Sequence, residues 1–343
     1  MFRPSSRTSR PLPSRRRLCL GLVAGLVAFL SLVNLGIGQP EASKELRLVV
    51  AHTPTLLTGL VTLAQRLGYF RNAGLDVVLS EHATGDEALQ RVESGQADLA
   101  TVAETAFVLR LFERPQLRAL AVIGGSDNEV RILARKDAGI AVPSDLNGKR
   151  IATQKRLSTH FFLDQFLLKN GLSMQDITPH FHKLPELPDR IVAGEVDAIS
   201  TRDPFLSRAT ARLGENAVVF EAIGLYDKVF LLATLEESLP GREKALERFL
   251  HALIRAEAFV RDSDNEARKL LLRLLPGEEL ESQWQHARLR VWLDHRFLLT
   301  LENVADWAIR NDLTDKRTLP NFLSNLEAGP LRSVRPVAVN LLE

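Results

Sequence analysis

Side chains that can bind a small charged molecule follow two of the short apolar runs in this sequence. Arg202-Asp203 comes after one such run, and Glu104-Thr105 comes after another. A guanidinium grips an oxyanion through two parallel hydrogen bonds, whereas a carboxylate accepts hydrogen bonds from an amine or amide. The alternative is that Arg202 pairs with one of the two carboxylates. The two pairs therefore indicate a small polar ligand and leave the charge of its head group open.

A predicted helix start supplies a second candidate site. Ser158-Thr159-His160 opens an apolar helical run, and the unpaired N–H groups and dipole of a helix start suit a sulfonate, phosphate or carboxylate. Lys155, with Arg156 beside it, could pair with the same anion. Helix capping by the serine and threonine, with solvation of the two basic side chains, is the alternative.

Polar residues after the first two predicted strands complete the set. His52-Thr53 follows the first strand, and Thr84-Gly85 follows the second, where a glycine lets the backbone approach a ligand. Ordering of a loop and capping of a helix are the alternative roles. The predicted ligand-binding residues are His52, Thr53, Thr84, Gly85, Glu104, Thr105, Lys155, Ser158, Thr159, His160, Arg202 and Asp203.

Two similar α/β units are needed to bring these residues together. Residues 91–101 align without a gap with residues 190–200, and Asp98 matches Asp197. Each copy predicts the order β-α-β-α-β, which is typical of a parallel sheet covered by helices. Ligands of open α/β sheets bind at the carboxyl ends of the strands. The duplication therefore predicts two α/β lobes that face one cleft and close around a ligand by a hinge motion.

The order of the predicted elements sets the lobe boundaries. An apolar run at residues 228–234 predicts a strand that returns to the first lobe. Four helices are predicted after residue 241, at 245–261, 266–274, 279–294 and 304–310. Lobe I is thus predicted to comprise residues 44–136 and 226–343, with the helical C-terminal tail, and lobe II residues 137–225. Core positions are predicted for three tryptophans of the tail, Trp284, Trp292 and Trp307.

Several segments resemble a known family in the right order. Residues 63–77, 94–98, 144–152, 158–164 and 194–204 are similar to segments of the substrate-binding proteins of nitrate/sulfonate/taurine-type ABC transporters, the SsuA/NMT1-like group. The resemblance covers about residues 46–235. It implies a type II periplasmic-binding fold and a monomeric protein that carries a small-molecule ligand to a permease and its ATPase.

Two departures from the family pattern bear on the ligand. Arg202-Asp203 stands where the family usually has an aromatic residue and glutamate, and Lys155-Arg156-Leu157 stands where a small residue often precedes the Ser-Thr pair. Both changes add positive charge, so a small organic anion such as a sulfonate, taurine or nitrate is the first expectation. A heterocycle like the thiamine pyrimidine precursor, or a membrane-tethered sensor of the same fold, is the alternative.

The amino-terminal segment indicates export. Residues 1–38 hold six arginines, no lysine and no acidic residue, and they end in an apolar run from residue 18. This pattern predicts a signal peptide or, because the run is about long enough to span a bilayer, an uncleaved inner-membrane anchor. Both interpretations place the rest of the chain in the periplasm.

Composition narrows the possible functions of the exported body. Removing those six arginines from the 44 basic residues leaves 38 against 42 acidic ones, which disfavours nucleic-acid binding. The one cysteine of the chain, Cys19, lies in the predicted leader. The exported body therefore has no disulfide, cysteine-ligated metal or cysteine nucleophile. The yeast-type pyrimidine synthase of this fold uses a cysteine-rich iron motif, and its absence disfavours an enzyme. His180 and His182 share a strand face without a third ligand, so no metal or cofactor is predicted.

Overall fold

Strands alternate with helices along the chain and pair into two separate sheets. The computed structural model describes Met1 and residues 46–275 and 283–341, so the rest of the predicted leader lies outside the described residues. The strands are β1 (Leu46–His52), β2 (Leu75–Glu81), β3 (Leu99–Ala103), β4 (Leu117–Ser126), β5 (Val130–Arg135), β6 (Arg150–Thr153), β7 (Thr178–Phe181), β8 (Ala198–Arg202), β9 (Ala217–Phe220), β10 (Lys228–Leu235), β11 (Ala287–Arg288), β12 (Leu293–Asp294) and β13 (Val339–Asn340).

The helices cover the sheets and form most of the tail. They are α1 (Gly59–Arg66), α2 (Tyr69–Asn72), α3 (Gly85–Glu93), α4 (Glu104–Leu111), α5 (Ser158–Lys169), α6 (Leu187–Val192), α7 (Phe205–Leu213), α8 (Glu243–Asp262), α9 (Asp264–Leu274), α10 (His295–Arg310) and α11 (Gly329–Val334). Within the described ranges, no helix has the length and apolarity that crossing a bilayer would require.

Each sheet contains a set of parallel strands and an antiparallel strand that the chain enters directly from the other lobe. The first sheet, which defines lobe I, has the order β11-β4-β10-β3-β1-β2, with β1 parallel to β2 and β3 and with β10 antiparallel to β3 and β4. The second sheet, which defines lobe II, has the order β7-β6-β8-β5-β9. The strand predicted to return to lobe I is therefore confirmed as β10, whose eight residues are all buried.

The internal duplication has a shared structural cause. Asp98 accepts a hydrogen bond from the backbone N–H of Val49, and Asp197 accepts one from the backbone N–H of Arg150, both at 2.8 Å. In lobe I, Asp98 joins the start of β3 to β1, and in lobe II, Asp197 joins the start of β8 to β6. The matched aspartates thus fix the register of two parallel strand pairs, because an unpaired N–H at that point would otherwise lie against the sheet.

The crossing between the lobes comes earlier than the predicted boundary at residue 136. The strand β5 pairs with β8 and β9 of lobe II, so the chain leaves lobe I through residues 127–129 and returns through residues 221–227. An apolar antiparallel strand fits either sheet by its pattern alone. Its sequence therefore does not indicate which sheet it joins.

The helix predicted at residues 279–294 is wrong in its described part. A 3₁₀ turn at Trp284–His286 is followed by β11, which pairs with the end of β4. Trp292 then exchanges two backbone hydrogen bonds with Val122 of β4. The open edge of β4 supplies partners for this backbone, and tertiary pairing overrides the helical periodicity of the segment.

The tail packs against both lobes. Trp307 of α10 is fully buried, Trp292 is buried on β4, and Trp284 is half-buried, so the core prediction fits the first two. The Trp307 ring meets the rings of His160 and Phe161 of α5 edge-on, with centroids 5.1 and 5.3 Å apart. One continuous apolar core therefore runs through lobe I, the tail and part of lobe II.

Candidate functional site

A cleft of about 290 Å³ opens between the lobes at the carboxyl ends of their parallel strands. Its lobe I wall follows β1 and β2, and its lobe II wall follows β8. Glu129 of the first crossing segment and Gln283 of the tail also line it. The full lining is Thr53, Pro54, Thr55, Leu56, Leu57, His82, Ala83, Glu129, Arg202, Asp203, Pro204, Phe205, Arg208 and Gln283.

Threonines hold the lobe I wall in place. The N–H of Thr53 donates to Thr101 Oγ1 at 2.7 Å, and Thr58 Oγ1 donates to the carbonyl of Thr53 at 2.7 Å. Gly124 of β4 lies under this loop, and a Cβ there would fall 2.0 Å from the carbonyl oxygen of Leu57. The wall can therefore sit this close to the sheet only above a glycine, and it presents an apolar surface to the cleft.

The lobe II wall presents two guanidinium groups and one carboxylate. Asp203 accepts hydrogen bonds from the N–H and Oγ of Ser207 in the first turn of α7, and it pairs with Arg131 at 3.2 Å. Arg202 donates to the backbone carbonyl of Asp203, and Arg208 lies over the Phe205 ring. Neither Arg202 nor Arg208 pairs with a carboxylate of the described residues. The wall thus keeps two cations for a ligand while its carboxylate is already satisfied.

A buried ion pair lies at the floor of the cleft. Glu129 pairs with Lys228, the first residue of β10, and both side chains are almost fully buried. Burial alone would raise the pKa of Glu129, but Lys228 and Arg202 hold this pKa below its usual value. The carboxylate is therefore ionised at neutral pH and balanced by the ammonium. The pair also joins the first crossing segment to the start of β10, directly after the second crossing segment.

A second, larger cavity of about 580 Å³ lies elsewhere between the lobes, among α3, α4 and the loop before α5. Arg110 at its wall pairs with Asp86 at 2.5 Å and lies 3.5 and 3.6 Å from Glu93 and Glu113. Arg156 donates to the carbonyl of Leu313 and also reaches Glu113. The guanidinium groups here are therefore taken up by side chains and backbone of the protein itself.

The predicted ligand-binding residues are distributed unevenly between these cavities. Thr53, Arg202 and Asp203 line the cleft, and Thr84 and Lys155 line the second cavity. Thr84 accepts the N–H of Glu87 as a helix cap. Seven predicted residues line neither of these two cavities: His52, Gly85, Glu104, Thr105, Ser158, Thr159 and His160.

Buried hydrogen bonds account for two of these seven residues, Glu104 and His52. Glu104 is fully buried, accepts the Tyr226 hydroxyl and the N–H of Val229, and has a pKa raised to about 7 by burial. The ring of His52 lies between the hydroxyls of Thr62 and Thr101. Burial lowers its pKa to about 4. These groups therefore join elements to one another.

Close packing and a buried hydrogen bond account for three more of the seven residues, Gly85, Thr159 and His160. A Cβ on Gly85 would meet Val102 at 2.8 Å, so this glycine serves close packing of α3 on β3. Thr159 is buried and accepts a hydrogen bond from Thr153. His160 packs edge-on against Phe181 and Trp307, and burial followed by the charge of Lys155 lowers its pKa to about 4. Ser158 and Thr105 are buried at the starts of α5 and α4, respectively.

Several cleft residues were not found from the sequence. Phe205 and Arg208 follow Asp203-Pro204 at helical spacing, which is a usable signal for a wall that continues into a helix. Glu129 lies in a connector of three residues, and its partner Lys228 is far away in the sequence. No local pattern relates that pair.

Two α/β lobes joined by two crossings, with a cleft at their strand ends, are the architecture of a periplasmic binding protein. The chain belongs to the NMT1/THI5-like family, whose model matches residues 57–267. The predicted type II periplasmic-binding fold and the resemblance to this family are thereby confirmed.

The individual proteins that this chain resembles share only a small part of its sequence. A putative aliphatic sulfonates-binding protein of Escherichia coli K12 is 26% identical over 134 residues, which is 39% of this chain and 42% of the relative. The structure of the alkanesulfonate-binding protein SsuA of Xanthomonas axonopodis bound to MOPS matches with a TM-score of 0.68 at 22% identity, over 84% of this chain and 100% of that one. The aliphatic sulphonate-binding SsuA of E. coli gives 0.69 at 19%, over 80% and 95%.

The same fold also occurs in an enzyme. The desulfurization enzyme DSZB matches with a TM-score of 0.61 at 16% identity, over 85% of this chain and 99% of that one. The fold alone therefore does not separate binding from catalysis.

Proposed function

We propose that this chain is an extracytoplasmic solute-binding protein that captures a small organic anion, foremost a sulfonate, in the cleft. The observation that carries the proposal is the state of the charges at its walls. Arg202 and Arg208 have no carboxylate partner among the described residues, whereas Glu129 pairs with Lys228 and Asp203 pairs with Arg131. Cations are thus free for a ligand and carboxylates are not.

The rest of the lining fits the organic part of such a ligand. Pro54, Leu56, Leu57, Ala83 and Phe205 form apolar surface next to the guanidinium groups. A cleft of about 290 Å³ lies at the small end of ligand sites, which suits a short chain behind one charged head. The names of the sulfonate-binding relatives support the same class of ligand, and the family resemblance supports delivery to an ABC permease.

The paired carboxylates argue against the heterocycle alternative. A pyrimidine with amino groups needs a free acceptor, and in the cleft both carboxylates already accept from lysine, arginine or serine. The enzyme alternative is tested on the same ligands. A ligand that binds and is recovered chemically unchanged after long incubation with the protein indicates a binding protein.

The proposal is tested by titration calorimetry with butanesulfonate, taurine, nitrate and an aminopyrimidine. We expect butanesulfonate to bind, and Arg202→Ala to weaken that binding about 10- to 100-fold, because a hydrogen bond to a charged group contributes roughly 1.5–3 kcal/mol. The matched control is Arg212→Ala on α7, whose guanidinium pairs with exposed Asp189. Unchanged affinity in Arg202→Ala would overturn the assignment of the cleft.

A further inference from the structure

The floor of the cleft carries a buried carboxylate that anion binding does not require. Glu129 lines the cleft, and its side chain is only 6% exposed. An anion that reaches Arg202 also approaches this carboxylate. Like charges repel strongly where water is excluded. Glu129 must therefore affect which anions the cleft accepts.

Three cations face three carboxylates around the floor, and Arg202 is the cation that lies in no ion pair with a described residue. Lys228 is taken up by Glu129, and Arg131 bridges Asp203 and, at 3.4 Å, the half-exposed Glu221. Arg202 donates only to a backbone carbonyl among the contacts of the described residues. Arg208 lies at the exposed rim, where solvent and salt screen its charge. The first negative charge of a ligand is thus met by Arg202, and a second one lies near the carboxylate of Glu129 with no unpaired buried cation to offset it.

We propose that Glu129 restricts the cleft to ligands with a single negative charge, so that it accepts monoanionic head groups such as sulfonates and rejects dianions such as sulfate. This inference rests on the proposed function, because it assigns the selectivity of the same site. Specificity of this kind comes from a repulsive element built against the wrong ligand. The buried ammonium of Lys228 keeps the carboxylate ionised and in place.

Methyl phosphate tests the proposal on the unaltered protein, because it changes charge without changing shape. Its second ionisation lies near pH 6, so it is a monoanion at pH 5 and a dianion at pH 8. We expect its affinity for the full chain to fall at least tenfold between these pH values. Butanesulfonate, which keeps one charge throughout, is the control and should bind equally at both. Equal affinity for methyl phosphate at pH 5 and pH 8 would overturn the proposal.

Substitution then assigns the effect to Glu129. In Glu129→Gln, the preference for butanesulfonate over sulfate should fall at least tenfold at pH 8, measured as the ratio of the two Kd values. The double variant Glu129→Gln/Lys228→Met, which removes the carboxylate without leaving its ammonium unpaired, should lose the preference as well. A preference that returns in the double variant would show that the freed Lys228, and not the loss of Glu129, changed the ratio, and would overturn the proposal. An unchanged ratio in Glu129→Gln contradicts the proposal.

The same titrations separate the two proposals. If the unaltered protein binds no butanesulfonate at either pH, the proposed function fails, and the selectivity fails with it. If butanesulfonate binds and methyl phosphate binds equally at both pH values, only the role of Glu129 fails. Thermal unfolding of each variant, without ligand, shows whether it is folded.

Discussion

The second cavity is lined by six charged side chains and the cleft by four, and the two differ in what their guanidinium groups already bind. In the second cavity, Arg110 is surrounded by three carboxylates, and Arg156 is bound to a carbonyl of the tail. In the cleft, the carboxylates are paired and Arg202 is not. The cleft is therefore distinguished by guanidinium groups that have no carboxylate partner, and not by the density of charge.

Glu104 offers the largest test of this division, because it was predicted to bind ligand and instead lies buried outside both cavities. Its pKa of about 7 in the folded protein is above the ordinary value of 4.5, so the protonated form stabilises the fold. That contribution is complete below about pH 4.5 and is lost as the pH rises to about 7. Glu104→Gln removes it, so the advantage of the wild type in free energy of unfolding should grow by about 3 kcal/mol from pH 7 to 4.5.

Urea unfolding of both proteins across this pH range measures the difference. The affinity for butanesulfonate should be the same in the two proteins at pH 7. A difference in unfolding free energy that does not change with pH, or a loss of affinity in Glu104→Gln, would contradict the buried structural role.

Arg110→Ala sharpens the comparison from the side of the second cavity. The substitution leaves the carboxylates of Asp86 and Glu93 without their guanidinium, and we expect a loss of about 1.5–3 kcal/mol in stability. Ligand affinity should be unchanged, which is the reverse of Arg202→Ala. A weakened affinity for butanesulfonate in Arg110→Ala would mean that the second cavity takes part in binding.

Arg156 gives the smallest expected effect. Its φ of 66° lies in the left-handed region, and its side chain crosses to the Leu313 carbonyl at 2.6 Å. Arg156→Ala loses this contact and keeps the strain, whereas Arg156→Gly loses the contact and relieves the strain. We therefore expect the glycine variant to be more stable than the alanine variant by about 1 kcal/mol in thermal unfolding. Equal stability would show that the backbone at this position is not strained.

The sequence allowed the fold to be predicted better than the site, for a physical reason. Matched aspartates such as Asp98 and Asp197 act within their own lobe, so their pattern repeats and can be read locally. Glu104 also follows its strand as predicted, but Tyr226 and Val229, which occupy its carboxylate, come more than 120 residues later. Which residue at a strand end remains free for a ligand depends on such distant partners.

A crystal structure of the protein grown with butanesulfonate would show directly whether the cleft is the binding site. We expect the sulfonate oxygens within hydrogen-bond distance of the Arg202 guanidinium, with the alkyl chain against Leu56, Leu57 or Phe205 in the cleft. A sulfonate bound instead in the second cavity, beside Lys155 and away from Arg202, would contradict this expectation.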